Sequence, residues 1–166
     1  MEAMNFSNVW IDWVMACIQS PRFSVLINGS PFGFFESSLG LWQGDPISPL
    51  LFVLSMEILS QWLDAALLNK KIGPFMKKAT SVSHLLFADD LIIFSDTSTS
   101  SGRGLKELFQ RFAICSSLEL NRGKSQVFCG GRTTQHDQFL EALGIPKGNL
   151  PVTYLGLPLF TGALTP

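Results

Sequence analysis

Asp89 and Asp90 are adjacent acids, preceded by Ala88 and set between two short apolar runs, Leu85-Leu86-Phe87 and Leu91-Ile92-Ile93-Phe94. Short runs rich in Leu, Ile and Phe, broken by turn-tolerant residues, predict a hairpin of two buried strands. Side chains alternate between the faces of a strand, so the tip of such a hairpin can hold an acid at a sheet edge. Two carboxylates at one tip repel each other. A divalent cation is the strongest candidate to offset that, since Mg²⁺ is held by one or two carboxylates together with substrate phosphates. The same pair also suits an idle, solvated turn, because Asp is a common turn residue. The rest of the chain decides between the two.

The elements that would position the pair are read from periodicity and punctuation. A helix is predicted over residues 9–19, where Trp10, Ile11, Trp13, Val14, Met15 and Ile18 suit packing on most sides, and Ser20-Pro21 ends it. Residues 22–27 alternate as a strand, Asn28-Gly29 supplies a tight turn, and residues 32–35 return beside it. Residues 40–46 form a loop. Ile47-Ser48-Pro49 then opens a helix running to Leu68, Pro being tolerated in a first turn. Its first half is apolar all round and expected to be buried, while Glu57, Ser60, Gln61 and Asp64 form a polar stripe that reads as a solvated face.

Residues 69–78 are a basic connection with Lys70, Lys71, Lys77 and Lys78, whose usual meaning is solubility and whose minority meaning is a phosphate contact. After the acidic hairpin, residues 95–104 read as a Ser/Thr/Gly loop. Leu105, Leu108, Phe109 and Phe112 make an apolar helical stripe, with Glu107 and Arg111 spaced for an ion pair. Residues 125–129 alternate like an edge strand, residues 133–143 suit a short amphipathic helix, and residues 153–159 a last strand. No repeat or linker interrupts residues 1–166, so one domain is expected.

Composition narrows the function classes. Hydrophobic residues make up 46%, with 14 Phe against one Tyr, which calls for a deep core or for an apolar face that expects a neighbour. A net charge of −1 lacks the basic footprint of a free-standing nucleic-acid binder, so weak or no nucleic-acid binding by the chain itself is expected. Cys17, Cys115 and Cys129 form no CxxC and share no ligand spacing with His84 or His136, which argues against zinc and for buried reduced thiols. No signal-peptide pattern opens the sequence, and the greasiest run, residues 47–56, is too short to span a bilayer, so no membrane partner is expected.

Four motifs then fall in order. Gly-Leu-Trp-Gln-Gly-Asp-Pro-Ile-Ser-Pro-Leu-Leu-Phe occupies residues 40–52, Leu-Leu-Phe-Ala-Asp-Asp-Leu-Ile-Ile-Phe residues 85–94, Leu-Glu-Leu-Asn-Arg-Gly-Lys-Ser-Gln-Val-Phe residues 118–128, and Tyr-Leu-Gly-Leu-Pro-Leu residues 154–159. The series resembles the palm of reverse transcriptases (RNA-directed DNA polymerases), particularly those of plant non-LTR, LINE-type retrotransposons. Residues 22–35 are similar to the hairpin before that family's Gln-Gly-Asp-Pro loop. The resemblance covers essentially the whole chain and implies an α/β (α+β) fold, an incomplete palm-like antiparallel sheet backed by helices, with residues 1–166 as a partial reverse transcriptase domain.

The resemblance also implies a chemistry: two-metal nucleotidyl transfer with Mg²⁺, adding deoxynucleotides to a DNA primer opposite an RNA template. In it Asp89 takes the place of a metal ligand, with Asp90 assisting, and Phe87 that of the aromatic residue beside the primer end. Gln43 and Gly44 match the loop near the incoming nucleotide and template, with Asp45 and Pro46 holding it. Lys124 matches a lysine near the triphosphate, or is a plain surface lysine. The implied location is the nucleus or cytoplasm.

Two departures temper this. Trp42 stands where the family usually has Arg. The strand bearing the family's principal metal-binding Asp comes just before the helix at residues 9–19, and neither Glu2 nor Asp12 sits in an element that would replace it. Fingers and thumb are likewise unmatched. The expectation is a palm fragment inactive on its own; the rival is a non-catalytic interaction or regulatory protein derived from a retroelement.

Overall fold

The computed structural model describes residues 1–19, 21–36, 40–41, 43–76, 82–130 and 136–160. The chain divides into two compact units, Met1–Leu50 and Leu51–Pro166.

In the first unit a short 3₁₀ turn (Glu2–Met4) leads into helix α1 (Asn8–Gln19), then strands β1 (Arg22–Ile27) and β2 (Ser30–Glu36). Asn28 and Gly29 form the two-residue loop between the paired Ile27 and Ser30, with φ of 50° and 80°. Positive φ at both central residues is the type I′ turn that matches strand twist, as the Asn-Gly pair predicts. The register shifts between Phe23 and Val25, where β2 carries an extra residue beside Gly33, whose φ is 65°. Gly takes that left-handed conformation without a steric penalty, which is how a bulge is accommodated. Packing on most sides of α1 does not hold: only Val14 is buried, and Trp13 is 63% exposed. A single hairpin and a loop offer this helix too little surface to cover more than one side. A cavity of about 50 Å³ among Cys17, Ile18, Phe23, Leu41, Asp45 and Ile47 marks where helix end, strand and loop meet.

Helix α2 (Ser48–Leu68) enters the second unit, which continues with β3 (His84–Phe87), β4 (Asp90–Ile93), α3 (Thr99–Ser116), α4 (His136–Leu143), β5 (Val152–Tyr154) and β6 (Leu157–Leu159). Helices with antiparallel strand pairs give the α+β class expected, the strands falling into hairpins β1-β2, β3-β4 and β5-β6. Met56, Leu59, Leu63 and Ala66 of α2 form the core with Ile72, Leu105, Phe112, Phe139, Leu143 and Ile145. Leu59 and Leu63 are 3% and 1% exposed, and burying such a side chain contributes roughly 1.5–3 kcal/mol. The expected burial of the first half of α2 fails, since Leu50 and Val53 are exposed and the buried stripe begins at Met56. By length and composition α2 could cross a membrane. Its core stripe and its side-chain bonds to β3 make it instead the central helix of this unit.

Four further readings are corrected. Residues 99–104 are helix rather than loop: Ser98 caps α3 by accepting from the Ser101 N–H at 3.2 Å, a strong helix-start device. The glycines there serve close approach, since a Cβ on Gly102 would lie 3.0 Å from the Phe139 carbonyl oxygen and one on Gly104 2.7 Å from that of Lys71. Residues 125–129 form no strand but a single parallel bridge, Val127 with Lys147. The last strand is a hairpin, because Leu155 and Gly156 (φ 49° and 81°) turn the chain between β5 and β6. Of the helix read over residues 133–143, the first three lie outside the described residues. Arg111 lies over the Trp62 ring, 4.7 Å from its centroid, rather than in the expected pair with Glu107.

The thiols are not buried as expected. Cys17 and Cys115 are exposed and Cys129 is intermediate. Partial burial pushes the Cys129 thiol up from its ordinary 9.0, with Lys147 opposing and Asp137 adding to the rise.

Candidate active site

Strands β3 and β4 pair His84 with Ile93, Leu85 with Ile92, Leu86 with Leu91 and Phe87 with Asp90, leaving Ala88 and Asp89 as the two-residue turn. The Phe94 N–H donates to the Ser83 carbonyl at 2.8 Å and extends the ladder. The pairing fixes the faces, since side chains alternate along each strand. His84, Leu86, Leu91 and Ile93 lie on one face, and Leu86, Leu91 and Ile93 pack on the core. Leu85, Phe87, Asp90 and Ile92 share the outer face. Asp90 therefore stands directly across from Phe87, which is 62% exposed, and Asp89 precedes it in the turn. Both carboxylates are exposed to water.

Within the turn only the first central residue, Ala88, has positive φ (52°). That is the type II′ pattern, which favours Gly at this position, and a side chain there stores strain.

The open end of the hairpin is fastened to α2. The Ser83 hydroxyl donates to Asp64 Oδ1 at 2.5 Å and lies 2.6 Å from His84 Nδ1, while His84 Nε2 lies 2.8 Å from the Ser60 hydroxyl. Because the Ser83 proton is committed to Asp64, His84 Nδ1–H donates to Ser83, and the Ser60 hydroxyl pairs with Nε2 on the other side of the ring. Of the stripe expected to be solvated, Asp64 is exposed and Ser60 half-buried, and both also bond to the hairpin; their i,i+4 spacing and a lone His at the start of an apolar strand are the signal for that.

Past β4, Asp96 anchors the chain again. Its Oδ1 accepts from the Ser101 and Ser98 hydroxyls at 2.5 and 2.8 Å and from the Ser98 N–H at 3.3 Å. Its own N–H donates to the Gly73 carbonyl at 3.0 Å. Fully buried Ser101 accepts the Gly73 N–H at 2.7 Å.

The remaining candidates belong to other elements of the chain. Gln43 and Gly44 form a turn in the first unit, with Gly44 at φ 102° and nothing within 4 Å of where a Cβ would be, so the backbone conformation rather than space calls for Gly. Asp45 holds that loop as expected: its Oδ1 accepts the Ile47 N–H at 3.0 Å and its carbonyl the Ser48 N–H at 3.1 Å. Trp42, like Lys77 and Lys78, lies outside the described residues. Lys124 is exposed in a turn closed by Asn121, whose Oδ1 accepts the Gly123 and Lys124 N–H groups at 3.1 and 3.2 Å. The structure thus brings Phe87, Asp89 and Asp90 together.

Two carboxylates on one rigid tip fit the protein share of a Mg²⁺ site, which takes few carboxylates and fills its shell with water and phosphate oxygens. Among the described residues no group of three or more His, Cys, Asp or Glu side chains could hold a metal without such outside donors.

Comparison with known proteins gives a consistent neighbourhood. The family model for reverse transcriptase (RNA-dependent DNA polymerase) matches residues 1–159. An uncharacterised mitochondrial protein of Arabidopsis thaliana is 43% identical over 67 residues, 39% of this chain and 55% of that protein. The retrovirus-related Pol polyprotein from the type-1 retrotransposable element R2 of Popillia japonica is 28% identical over 96 residues, 58% of this chain and 15% of the polyprotein. That from the type-2 retrotransposable element R2DM of Drosophila melanogaster is 29% identical over 150 residues, 88% of this chain and 13% of the polyprotein. The chain spans about half of the first of these and under a sixth of the two polyproteins.

Proposed function

The chain belongs to the reverse transcriptase (RNA-dependent DNA polymerase) family, and from that membership we propose that it carries the acidic hairpin of a polymerase palm from a non-LTR, LINE-type retroelement. The parent reaction is addition of deoxynucleotides to a DNA primer opposite an RNA template. The observation that carries this reading is the pair of exposed carboxylates, Asp89 and Asp90, at the tip of a hairpin whose other face is packed on the core. Mg²⁺ held there with triphosphate oxygens would supply charge neutralisation at the transferring phosphate and acidify the primer hydroxyl.

The candidate side chains have definite work in this reading. Asp89 and Asp90 would hold the cation, Asp90 from the first position of β4 and Asp89 from the tight turn that the paired strands close. The exposed Phe87 ring, opposite Asp90, offers an apolar surface for the sugar or base at the primer end. Gly44 lets backbone come close to a nucleotide, and Gln43 offers an amide that can donate and accept. Lys124, held in a stiff turn, presents an ammonium to a phosphate. Domain 1–166 supplies part of such a site, and two carboxylates fall short of the donors that a two-metal centre requires.

The test is primer extension with an RNA template, a DNA primer, deoxynucleotides and Mg²⁺. The 166 residues alone should give no product. A longer parental polypeptide with a third acid on a neighbouring strand should extend, and Asp89→Ala should lower its rate at least about 10²-fold, the loss seen when one transition-state charge stabiliser is removed. Trp42→Arg should raise it. Extension that survives Asp89→Ala would sink the assignment. Extension by the 166 residues alone, abolished by that substitution, would overturn the inactivity but keep the site.

A binding role without catalysis is favoured by one observation, the exposed apolar strands β1 and β2, with Leu26, Phe32 and Phe34 71%, 70% and 76% exposed. A stable monomer without polymerase activity in any longer form would support it.

A further inference from the structure

We propose that the register of the acidic hairpin is set at its open end, by His84 before the turn and Asp96 after it, and that these two are positioning residues for Asp89 and Asp90. The functional weight of this rests on reading Asp89 and Asp90 as the cation-holding pair.

The apolar pattern does not choose the register. If β4 slid by two residues along β3, Leu91 and Ile93 would stay on the core face, because the side-chain period is two. The new pairs would be Ala88 with Leu91, Phe87 with Ile92 and Leu86 with Ile93, apolar throughout, and the turn would become Asp89-Asp90. Turn chemistry prefers that slid form. Asp tolerates a left-handed conformation better than Ala, because its side chain bonds to nearby backbone. The observed register instead holds Ala88 at φ 52°. Local preference at the tip is overruled by something elsewhere.

The open end supplies it. On the β3 side, His84 is gripped through Ser83 by Asp64 and directly by Ser60, and its Nδ1 also lies 3.7 Å from Asp64 Oδ1. A two-residue slide moves a strand by about 6–7 Å, enough to break every one of these bonds. On the β4 side, only Ser95 separates the last ladder bond, Phe94 N–H to Ser83, from Asp96. Asp96 is locked to Gly73 and to Ser98 and Ser101 at the start of α3. Neither strand can slide while both fasteners hold. The consequence at the tip is chemical: Asp90 opens β4 opposite Phe87 instead of joining Asp89 in the turn.

The test reads the register directly in the 166-residue chain, with Cys17, Cys115 and Cys129 replaced by Ser. Leu85→Cys with Ile92→Cys reports the observed register, and Phe87→Cys with Ile92→Cys the slid one, since a disulfide forms only between close Cα atoms. With both fasteners present the first pair should oxidise faster than the second, whereas the strain at Ala88, unopposed once they are lost, favours the slid form by about tenfold. His84→Leu combined with Asp96→Ala should reverse that preference. Adding Ala88→Gly should restore it, which a chain that had merely unfolded would not show. An unchanged preference in the double variant, or no rescue by Gly, would overturn the proposal. Mn²⁺ binding to the same variants, followed by electron paramagnetic resonance, should weaken when the register slides. A reversed preference with unchanged Mn²⁺ binding would uphold the fasteners and refute the cation reading of the acidic pair instead.

Discussion

Gly104→Ala sets two effects of opposite sign against each other, and the structure decides between them. Gly104 lies inside α3, where Ala is favoured over Gly by about 1 kcal/mol. A Cβ there would lie 2.7 Å from the Lys71 carbonyl oxygen and 3.4 Å from its carbon. That backbone cannot easily retreat. The Lys71 and Ile72 N–H groups both donate to the Ala66 carbonyl at the end of α2, at 2.9 and 3.2 Å, and Ile72 is 3% exposed in the core. Forcing one extra carbon into such a contact costs typically 1–3 kcal/mol. The net expectation is a loss of about 1 kcal/mol, against the propensity rule. Urea unfolding followed by Trp62 fluorescence is a suitable measurement, because Trp62 of α2 packs edge-on against Phe112 of α3, 6.3 Å between centroids. Arg103→Ala, at an exposed position one residue before, should stay within about 0.5 kcal/mol of the parent. A raised urea midpoint for Gly104→Ala would refute the reasoning and show that the Lys71 segment yields.

Three other outcomes are expected. Gly73→Ala should destabilise more than Gly104→Ala, by about 2–4 kcal/mol, because its Cβ would run into the Asp96 carboxylate and strand the buried Ser101 hydroxyl; equal urea midpoints would contradict it. Iodoacetamide near pH 8 should modify Cys129 more slowly than Cys17 or Cys115, since its thiol is both less exposed and pushed above 9.0. The sign for stability follows: below pH 9 the thiol is neutral folded or unfolded, and above it the unfolded chain ionises first, so stability falls as pH rises. Finally, the chain alone should bind a hydrophobic dye, and Phe32→Ser with Phe34→Ser should reduce the signal; a monodisperse monomer that ignores the dye would contradict an open apolar sheet.

Much of the scaffold was legible because it is written in local rules. Asn28-Gly29 dictated a type I′ turn, the Leu105–Leu108–Phe109–Phe112 stripe gave a buried helix face, and the apolar runs around the acids gave the hairpin with Asp89 in its turn. What was misread depended on tertiary contacts. Ser98 to Gly104 carries loop-like composition, yet the small residues are needed where α3 meets Lys71 and Phe139. Leu155-Gly156 adopts the same I′ geometry as Asn28-Gly29 with a Leu at positive φ, a conformation no residue preference announces. The exposure of Trp13, Leu50 and Val53 is equally invisible to periodicity, which shows that a face is apolar without showing what covers it.

The site was legible at its tip and opaque at its base, for a physical reason. Carboxylates that meet an outside ligand are exposed and adjacent in sequence, so a short motif carries them. The groups that orient them act across the chain: Ser60 reaches His84 over 24 positions, and Gly73 reaches Ser101 over 28. A cation site tolerates displacement of its ligands by only a fraction of an ångström, whereas a hairpin apolar on both faces specifies its register weakly. Polar bonds have the direction and short range that apolar burial lacks, so they can select one register among several of similar hydrophobic merit. That gives a reason for the buried Ser83 and Ser101 and the half-buried His84 beside a core built from Leu, Ile and Phe. On the proposed reading, substitutions at His84 and Asp96 should therefore disturb the acidic pair although neither residue lies at the tip.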